Sequence, residues 1–335
     1  MTAPSAASDV LVTGGTGFVG AHLVRALLRR GHRPRCLVRA TSPGRNLDGL
    51  DVETVAGDLG DATSLARAVG GVRAVYHCAA DYRLYARDPR EIYATNVEGT
   101  RNLLRAAADA GVERFLYTSS VATLGRSRPD APADEQTPST IDDMIGHYKR
   151  SKYQAERVVD EWRARGLPVV VVNPSTPVGE LDVKPTPTGE IIVRFLRRRM
   201  PAYVDTGLNL VDVRDVAEGH LLAAEKGRVG ERYILGNRNM RLREILEALA
   251  AITGLPAPRV RVPHFVPFAA AAVDTAVSRL RGHAPTVSLE AVAMSRHYMF
   301  FDAGKAVREL GFAPGPIEDA LTRAVAWFRA NGYAP

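Results

Sequence analysis

The chain predicts an α/β fold: a doubly wound parallel sheet carrying a smaller C-terminal α/β cap. Three observations predict it. Short apolar runs that end in small or polar residues recur along the chain, separated by helical stretches of about a dozen residues, and strands joined that way form parallel crossovers. The first of these runs passes straight into a glycine-rich turn and a helix. Val169-Val170-Val171-Val172 is apolar on both faces, as a strand inside a parallel sheet must be.

Taken in order, Asp9 to Thr13 is the first strand, and Gly14, Gly17 and Gly20 follow it at G-x-x-G-x-x-G spacing. A helix with Leu23, Ala26 and Leu27 on one face then runs to Gly31. Glycines at these positions permit the tight turn and let a pyrophosphate approach backbone N–H groups at the helix start, so the strand, turn and helix predict a Rossmann-type dinucleotide site. The next strand, Arg33 to Val38, ends in Arg39, where an acidic residue would grip the adenosine ribose of NAD. Arginine cannot accept those hydrogen bonds but binds a 2′-phosphate, with Arg45 as a second cation, so NADP is the first expectation and NAD the alternative.

Val52 to Leu59 reads as a third strand closing on Asp58, whose carboxylate can accept from an adenine amino group. Helix Ser64 to Val69 leads to strand Ala74 to Ala80, where Ala79 and Ala80 leave room for a flat ligand. Helix Glu91 to Ala110 contains Asn96, read as a kink or water-holding residue, and strand Phe115 to Ser120 follows. Ser119 and Ser120 close that strand on the edge where ligands bind; either hydroxyl can meet a substrate oxygen, and the plain alternative is a turn.

Tyr148 and Lys152 stand four apart in a run of helix formers, which places them on one helix face. A phenol titrates near 10 in water, and an ammonium beside it favours the phenolate, so the pair predicts proton transfer near neutral pH. With a serine at the strand end they form a coherent acid/base set.

The second half continues with strand Val169 to Asn173, a Pro- and Thr-rich loop to Gly189, strand and helix over Asn209 to His220, and strand Glu231 to Leu235. The chain divides into residues 1–180, with 205–236 returning to the same unit, and a cap of 181–204 and 237–335. Cap helices are expected at Leu242 to Thr253, Phe265 to Leu280 and Ile317 to Ala330. The Phe265 to Leu280 stretch is expected to pack within the cap; the sharper reading is a wall for a lipid-like substrate or a peripheral contact with a membrane surface.

Composition narrows the partners. Net charge is +7, but 39 of the 44 basic residues are arginines spread along the chain, which is a compositional habit and no nucleic-acid surface. The dense run Arg197-Arg198-Arg199 with Arg194 reads as a solvated helix face, or as a clamp for an anionic substrate. Cys36 and Cys78 lie in apolar runs and read as free buried thiols, with no metal site, suiting the cytoplasm. Met1 to Ser8 lacks a leader's basic start and apolar core, and the most apolar stretch, Phe265 to Val273, is far short of the roughly 20 residues that span a bilayer.

The motifs Thr13 to Gly20, Gly57-Asp58-Leu59, His77 to Ala80, Asn96 to Thr100, Thr118-Ser119-Ser120 and Tyr148-x-x-x-Lys152 resemble the extended short-chain dehydrogenase/reductase (NAD-dependent epimerase/dehydratase) family over nearly the whole chain. Asp81 to Leu84, Asp142 to Lys152, Asn173 to Pro177 and Lys184 to Gly189 are similar to its hopanoid-associated sugar epimerase branch, which lies beside the dihydroflavonol reductases. The resemblance implies Tyr148 as general acid/base, Lys152 holding the nicotinamide ribose, and Ser120 orienting the substrate oxygen, with Ser119 as alternate. It implies cofactor contacts from Gly14, Thr16, Gly17, Phe18, Val19, Arg39, Asp58, Leu59, Ala79, Ala80, Asn96, Ser119, Tyr148 and Lys152, with Pro174, Ser175 and Thr176 beside the nicotinamide. It also implies a homodimer through helices 91–110 and 148–165.

Val121-Ala122 stands where sugar-nucleotide 4,6-dehydratases carry an Asp-Glu pair, so that dehydration is not expected. Arg39 and the apolar cap stretch lean toward a reductase or dehydrogenase of a hydroxyl or carbonyl on a bulky or lipid-linked substrate. The alternatives are epimerisation of a nucleotide- or hopanoid-linked sugar, and a non-catalytic dinucleotide-binding protein.

Overall fold

The computed structural model describes residues 8–83, 86–127, 131–281 and 289–335. Leu84 and residues 1–7, which the sequence reading used, lie outside them. Seven strands form the main sheet: β1 (Val10–Thr13), β2 (Arg35–Val38), β3 (Glu53–Ala56), β4 (Ala74–His77), β5 (Arg114–Thr118), β6 (Val169–Pro174) and β10 (Arg232–Leu235). Their order is β3-β2-β1-β4-β5-β6-β10, and every pairing is parallel. The order reverses between β1 and β4, the switch point outside which doubly wound sheets bind ligands.

Helices α1 (Phe18–Arg29) and α7 (Val213–Lys226) cover one face; α2 (Ala62–Val69), α4 (Gly99–Asp109) and α5 (Gly146–Ala164) cover the other. A short α3 (Arg90–Tyr93) leads into α4 through a wide π turn at Ala94–Glu98. That turn carries Asn96, so the kink expected there is present.

A second sheet of β7 (Thr176–Val178), β9 (Gly207–Asp212) and β11 (Arg238–Arg241) packs with α6 (Pro187–Leu196), α8 (Leu242–Thr253) and α12 (Ile317–Ala330) around a core that includes Phe195, Leu246, Leu321 and Phe328. A two-stranded ribbon, β8 (Ala202–Tyr203) with β12 (Val260–Arg261), and α9 (Phe265–Arg281), α10 (Leu289–Met294) and α11 (Gly304–Leu310) complete the described elements. Packing of α9 inside the cap does not hold for its first turns. Phe265 is 71% exposed, and Phe268 and Val273 are also exposed, because on that side the helix has no neighbouring layer among the described residues. No described helix is long and apolar enough to cross a membrane.

Candidate active site

The glycine turn is shaped by contacts that only glycine permits. Gly14 has φ +73°, and a Cβ there would sit 2.7 Å from the Ala79 nitrogen; a Cβ on Gly20 would strike the Gly14 carbonyl. The turn is pressed against the end of β4, and Ala79 N–H donates to Thr13 Oγ1 at 3.3 Å. Helix α1 starts after Gly17 with no side chain capping its first amides. The backbone N–H groups of Phe18 and Val19 are therefore left to an anion, the cradle a pyrophosphate requires.

Around it the predicted adenosine contacts differ. Arg39 is exposed at the end of β2, and its guanidinium has no partner among the described residues. Arg45 is committed elsewhere, donating to Asn331 Oδ1 at 2.5 Å, because its turn packs on the chain's C-terminal end. Asp58 is exposed and accepts from Gly60 N–H with one oxygen, leaving the other open, while Leu59 is buried beneath it.

At the rim of β5 the two serines separate. Ser119 is buried and gives its proton to Glu156 Oε1 at 2.5 Å. Ser120 accepts from Ala122 N–H at 3.1 Å and stands beside the Tyr148 phenol, restraining a pKa that burial otherwise raises above its ordinary value. Sequence reasoning expected Lys152 to depress the phenol. Burial wins instead, because the ammonium is turned inward: Lys152, only 2% exposed, donates to Tyr117 Oη and to the Thr118 carbonyl, each at 2.8 Å. Desolvation brings the Lys152 pKa down to about 8, against the attraction of Glu156.

Asn96 was expected among the cofactor contacts. Its amide N–H groups are spent instead on the Asp81 carbonyl and Ser151 Oγ, both at 2.9 Å, and its oxygen accepts from Asp81 N–H at 2.7 Å. It ties the segment after β4 to α5. Pro174 ends β6, Thr176 opens β7, and the buried Ser175 hydroxyl between them has no partner among the described residues, an open polar group beside the strand ends.

The sequence model of the NAD dependent epimerase/dehydratase family matches residues 10–236, a span holding the glycine turn, Ser120, Tyr148 and Lys152. The chain belongs to that family. Over 326 residues it is 51% identical to a Synechocystis protein named "Putative dihydroflavonol 4-reductase", covering 96% of this chain and 95% of that one. It is 37% identical over 324 residues to "Sterol demethylase protein B" of Methylococcus capsulatus, covering 96% and 98% of the two chains. The crystal structure of gox2253 superposes with a TM-score of 0.88 at 49% identity, covering 98% of this chain and 100% of that one. Family members are reductases, dehydrogenases and epimerases, so this chain is an enzyme of the extended short-chain type with reductase-like relatives. The glycine cradle, the uncapped α1 and the partnerless Ser175 hydroxyl fit the family's NAD-type dinucleotide.

Two residues of this family site escaped the sequence reading. Glu156 lies 1% exposed one turn beyond Lys152, and its Oε1 receives Ser119, Thr123 at 2.8 Å and Asn173 at 3.1 Å, while Arg232 stands 3.2 Å from Oε2. The 148-152-156 spacing was the available signal. Tyr117 lies under Lys152, and the alternation of Phe115 and Tyr117 toward α5 was the only hint of it.

The arginines considered for an anionic clamp are held elsewhere. Arg194 pairs with Glu190 at 2.8 Å, and Arg197 donates to the Tyr333 carbonyl at 2.6 Å. The solvated-face reading stands. Both cysteines are free, with burial pushing the Cys36 and Cys78 thiols up to about 12 and about 11, and no metal-binding cluster occurs among the described residues.

Proposed function

We propose that the chain is an NADP-preferring reductase or dehydrogenase acting on a hydroxyl or carbonyl of a bulky, lipid-like substrate. The observation that carries it is the Ser120–Tyr148 contact at the sheet rim, beside the glycine cradle. A bound dinucleotide supplies or takes up the hydride. Ser120 orients the substrate oxygen, Tyr148 gives it a proton in reduction or takes one in oxidation, and Lys152 supplies positive charge beside the ribose position. Pro174, Ser175 and Thr176 line the nicotinamide end, and Ala79, Ala80, Asp58 and Leu59 the adenosine end.

The unpaired Arg39 supports NADP over NAD. The exposed Phe265, Phe268 and Val273 of α9, together with the sterol-related and dihydroflavonol-related names of the two relatives, support an apolar substrate and contact of that helix with a lipid surface. Free thiols suit the cytoplasm. We also place a homodimer on helices 91–110 and 148–165, which lie side by side with Arg101 and Glu161 joined at 3.0 Å; sedimentation at the monomer mass would remove it.

The test is oxidation of NADPH by purified protein with apolar ketones, beside Tyr148→Phe, which is expected to lower turnover about 10³-fold while dinucleotide affinity holds. Full activity in that variant defeats the assignment. A solved structure 30% identical to this chain is titled a nucleoside-diphosphate-sugar epimerase, which keeps a second reading open. Protein that arrives with tightly held NAD and interconverts a UDP-sugar without added cofactor would establish that reading instead.

A further inference from the structure

Lys152 is the one member of the proposed acid/base set whose charge is held almost entirely by the protein interior, and the group holding it is an aromatic residue outside that set. Tyr117 is 1% exposed on β5. Its hydroxyl lies 2.8 Å from Lys152 Nζ and its ring centroid 4.4 Å from the same atom, so one side chain meets the ammonium with both a lone pair and a π face.

A chain of buried hydrogen bonds runs beside Tyr117. Thr100 gives its proton to the Asn96 carbonyl at 2.7 Å. Thr100 Oγ1 also lies 2.9 Å from His77 Nε2, and His77 Nδ1 lies 2.7 Å from Thr13 Oγ1, which takes the Ala79 N–H. Buried His77 is kept neutral, its pKa lowered to about 3, so Nε2–H donates to Thr100 and Nδ1 accepts from Thr13. The Tyr117 oxygen meets Lys152 as an acceptor, taking a proton of the ammonium on a lone pair.

We propose that Tyr117 is a positioning residue for Lys152, fixing the amine at the sheet rim and keeping it protonated through its hydroxyl oxygen and ring. The inference rests on the reductase reading only for its consequence in catalysis; the geometry is independent of it. The other groups facing the amine are Glu156 on its own helix, the Thr118 carbonyl on β5, and His77 and Cys78 at the end of β4. Glu156 favours the charged form but is already shared among Ser119, Thr123, Asn173 and Arg232. Tyr117 and the Thr118 carbonyl are the two groups in hydrogen-bond contact with it.

The chain has 5 lysines, so the side-chain nitrogens of ¹⁵N-lysine-labelled protein can be titrated one by one, with Lys152→Met and Lys149→Met assigning the two lowest midpoints. The titration needs neither substrate nor dinucleotide. Tyr117→Phe keeps the ring and removes the oxygen, and the Lys152 midpoint should fall by about one pH unit while the other four stay in place. An unmoved Lys152 midpoint overturns the proposal, whatever turnover shows. Tyr117→Leu, which removes the oxygen and the ring together, should move the midpoint further the same way, and no movement there overturns the proposal should Tyr117→Phe not fold. Failure of NADPH oxidation with the Lys152 shift intact would count against the reductase reading alone.

Discussion

The Ser119 hydroxyl is buried 2.5 Å from Glu156 Oε1, while its neighbour Ser120 faces the Tyr148 phenol. Adjacent residues at a strand end point to opposite sides, and the proposed reductase accordingly gives Ser119 to the interior and Ser120 to the substrate oxygen. Ser120→Ala should lower turnover about 10²-fold and cost only about 1 kcal/mol of stability, through its lost bond from Ala122 N–H. Ser119→Ala should leave the chemical step intact and cost about 1–3 kcal/mol of stability by stripping a buried carboxylate of one donor. Kinetics and calorimetry on the pair decide it: equal kinetic loss in both variants would end the division of labour.

Glu156 gathers Ser119, Thr123, Asn173 and Arg232 at one buried point linking α5, β6, β10 and the turn after β5. Removing one partner of a buried ion pair leaves the other uncompensated. Glu156→Leu should therefore cost about 3 kcal/mol, moderated because Arg232 keeps some solvent access, and should loosen the Ser119-Ser120 rim. Denaturant unfolding reads the first effect. A midpoint matching the parent would show that the carboxylate's contacts contribute no net stability.

Legibility in the sequence followed the reach of each interaction. The glycine turn, the strand succession and the 148-152 pair are local, and periodicity or spacing reveals them. Asn96 was legible as a kink, since a π turn is a local distortion, but its partners Asp81 and Ser151 are distant in sequence and were not. Lys152 was expected to face the phenol because helix spacing gives only the shared face. Its ammonium turned toward β5, where Tyr117 and the Thr118 carbonyl supply two acceptors. Arg45 was counted as a cofactor cation from its closeness to Arg39, and was claimed by Asn331, 286 positions away.

In the proposed reductase the proton economy of the site fixes a pH dependence. Carbonyl reduction needs Tyr148 as the neutral phenol, and burial raises its pKa, so that form persists through neutral pH. It also needs Lys152 charged, and that amine, lowered to about 8, loses its proton as pH rises through this value. The reductive rate is thus full below about 8 and declines above it, while oxidation, which calls for a proton acceptor, improves as pH rises until Lys152 discharges. Initial rates in both directions between pH 6 and 10 measure this. A reductive rate still flat at pH 10 would mean that the Lys152 charge is not required.

The proposed preference for NADP rests on Arg39. Arg39 follows β2 with no partner for its guanidinium among the described residues, whereas Arg45 is held by Asn331 and cannot reinforce it without giving up that bond. A single guanidinium supports a 2′-phosphate through one or two charge-assisted hydrogen bonds, fewer than a paired-arginine site would make. Arg39→Asp removes that charge and adds a carboxylate that accepts from ribose hydroxyls and repels phosphate. NADPH affinity should drop about tenfold or more and NADH affinity should rise, inverting the preference. Asn331→Ala, by freeing Arg45, should strengthen NADPH binding with NADH unaffected, a gain that surface disruption alone would not produce. Fluorescence titration of both dinucleotides against the parent and the two variants tests the assignment, and identical ratios in all three would place the 2′ position beyond reach of either arginine.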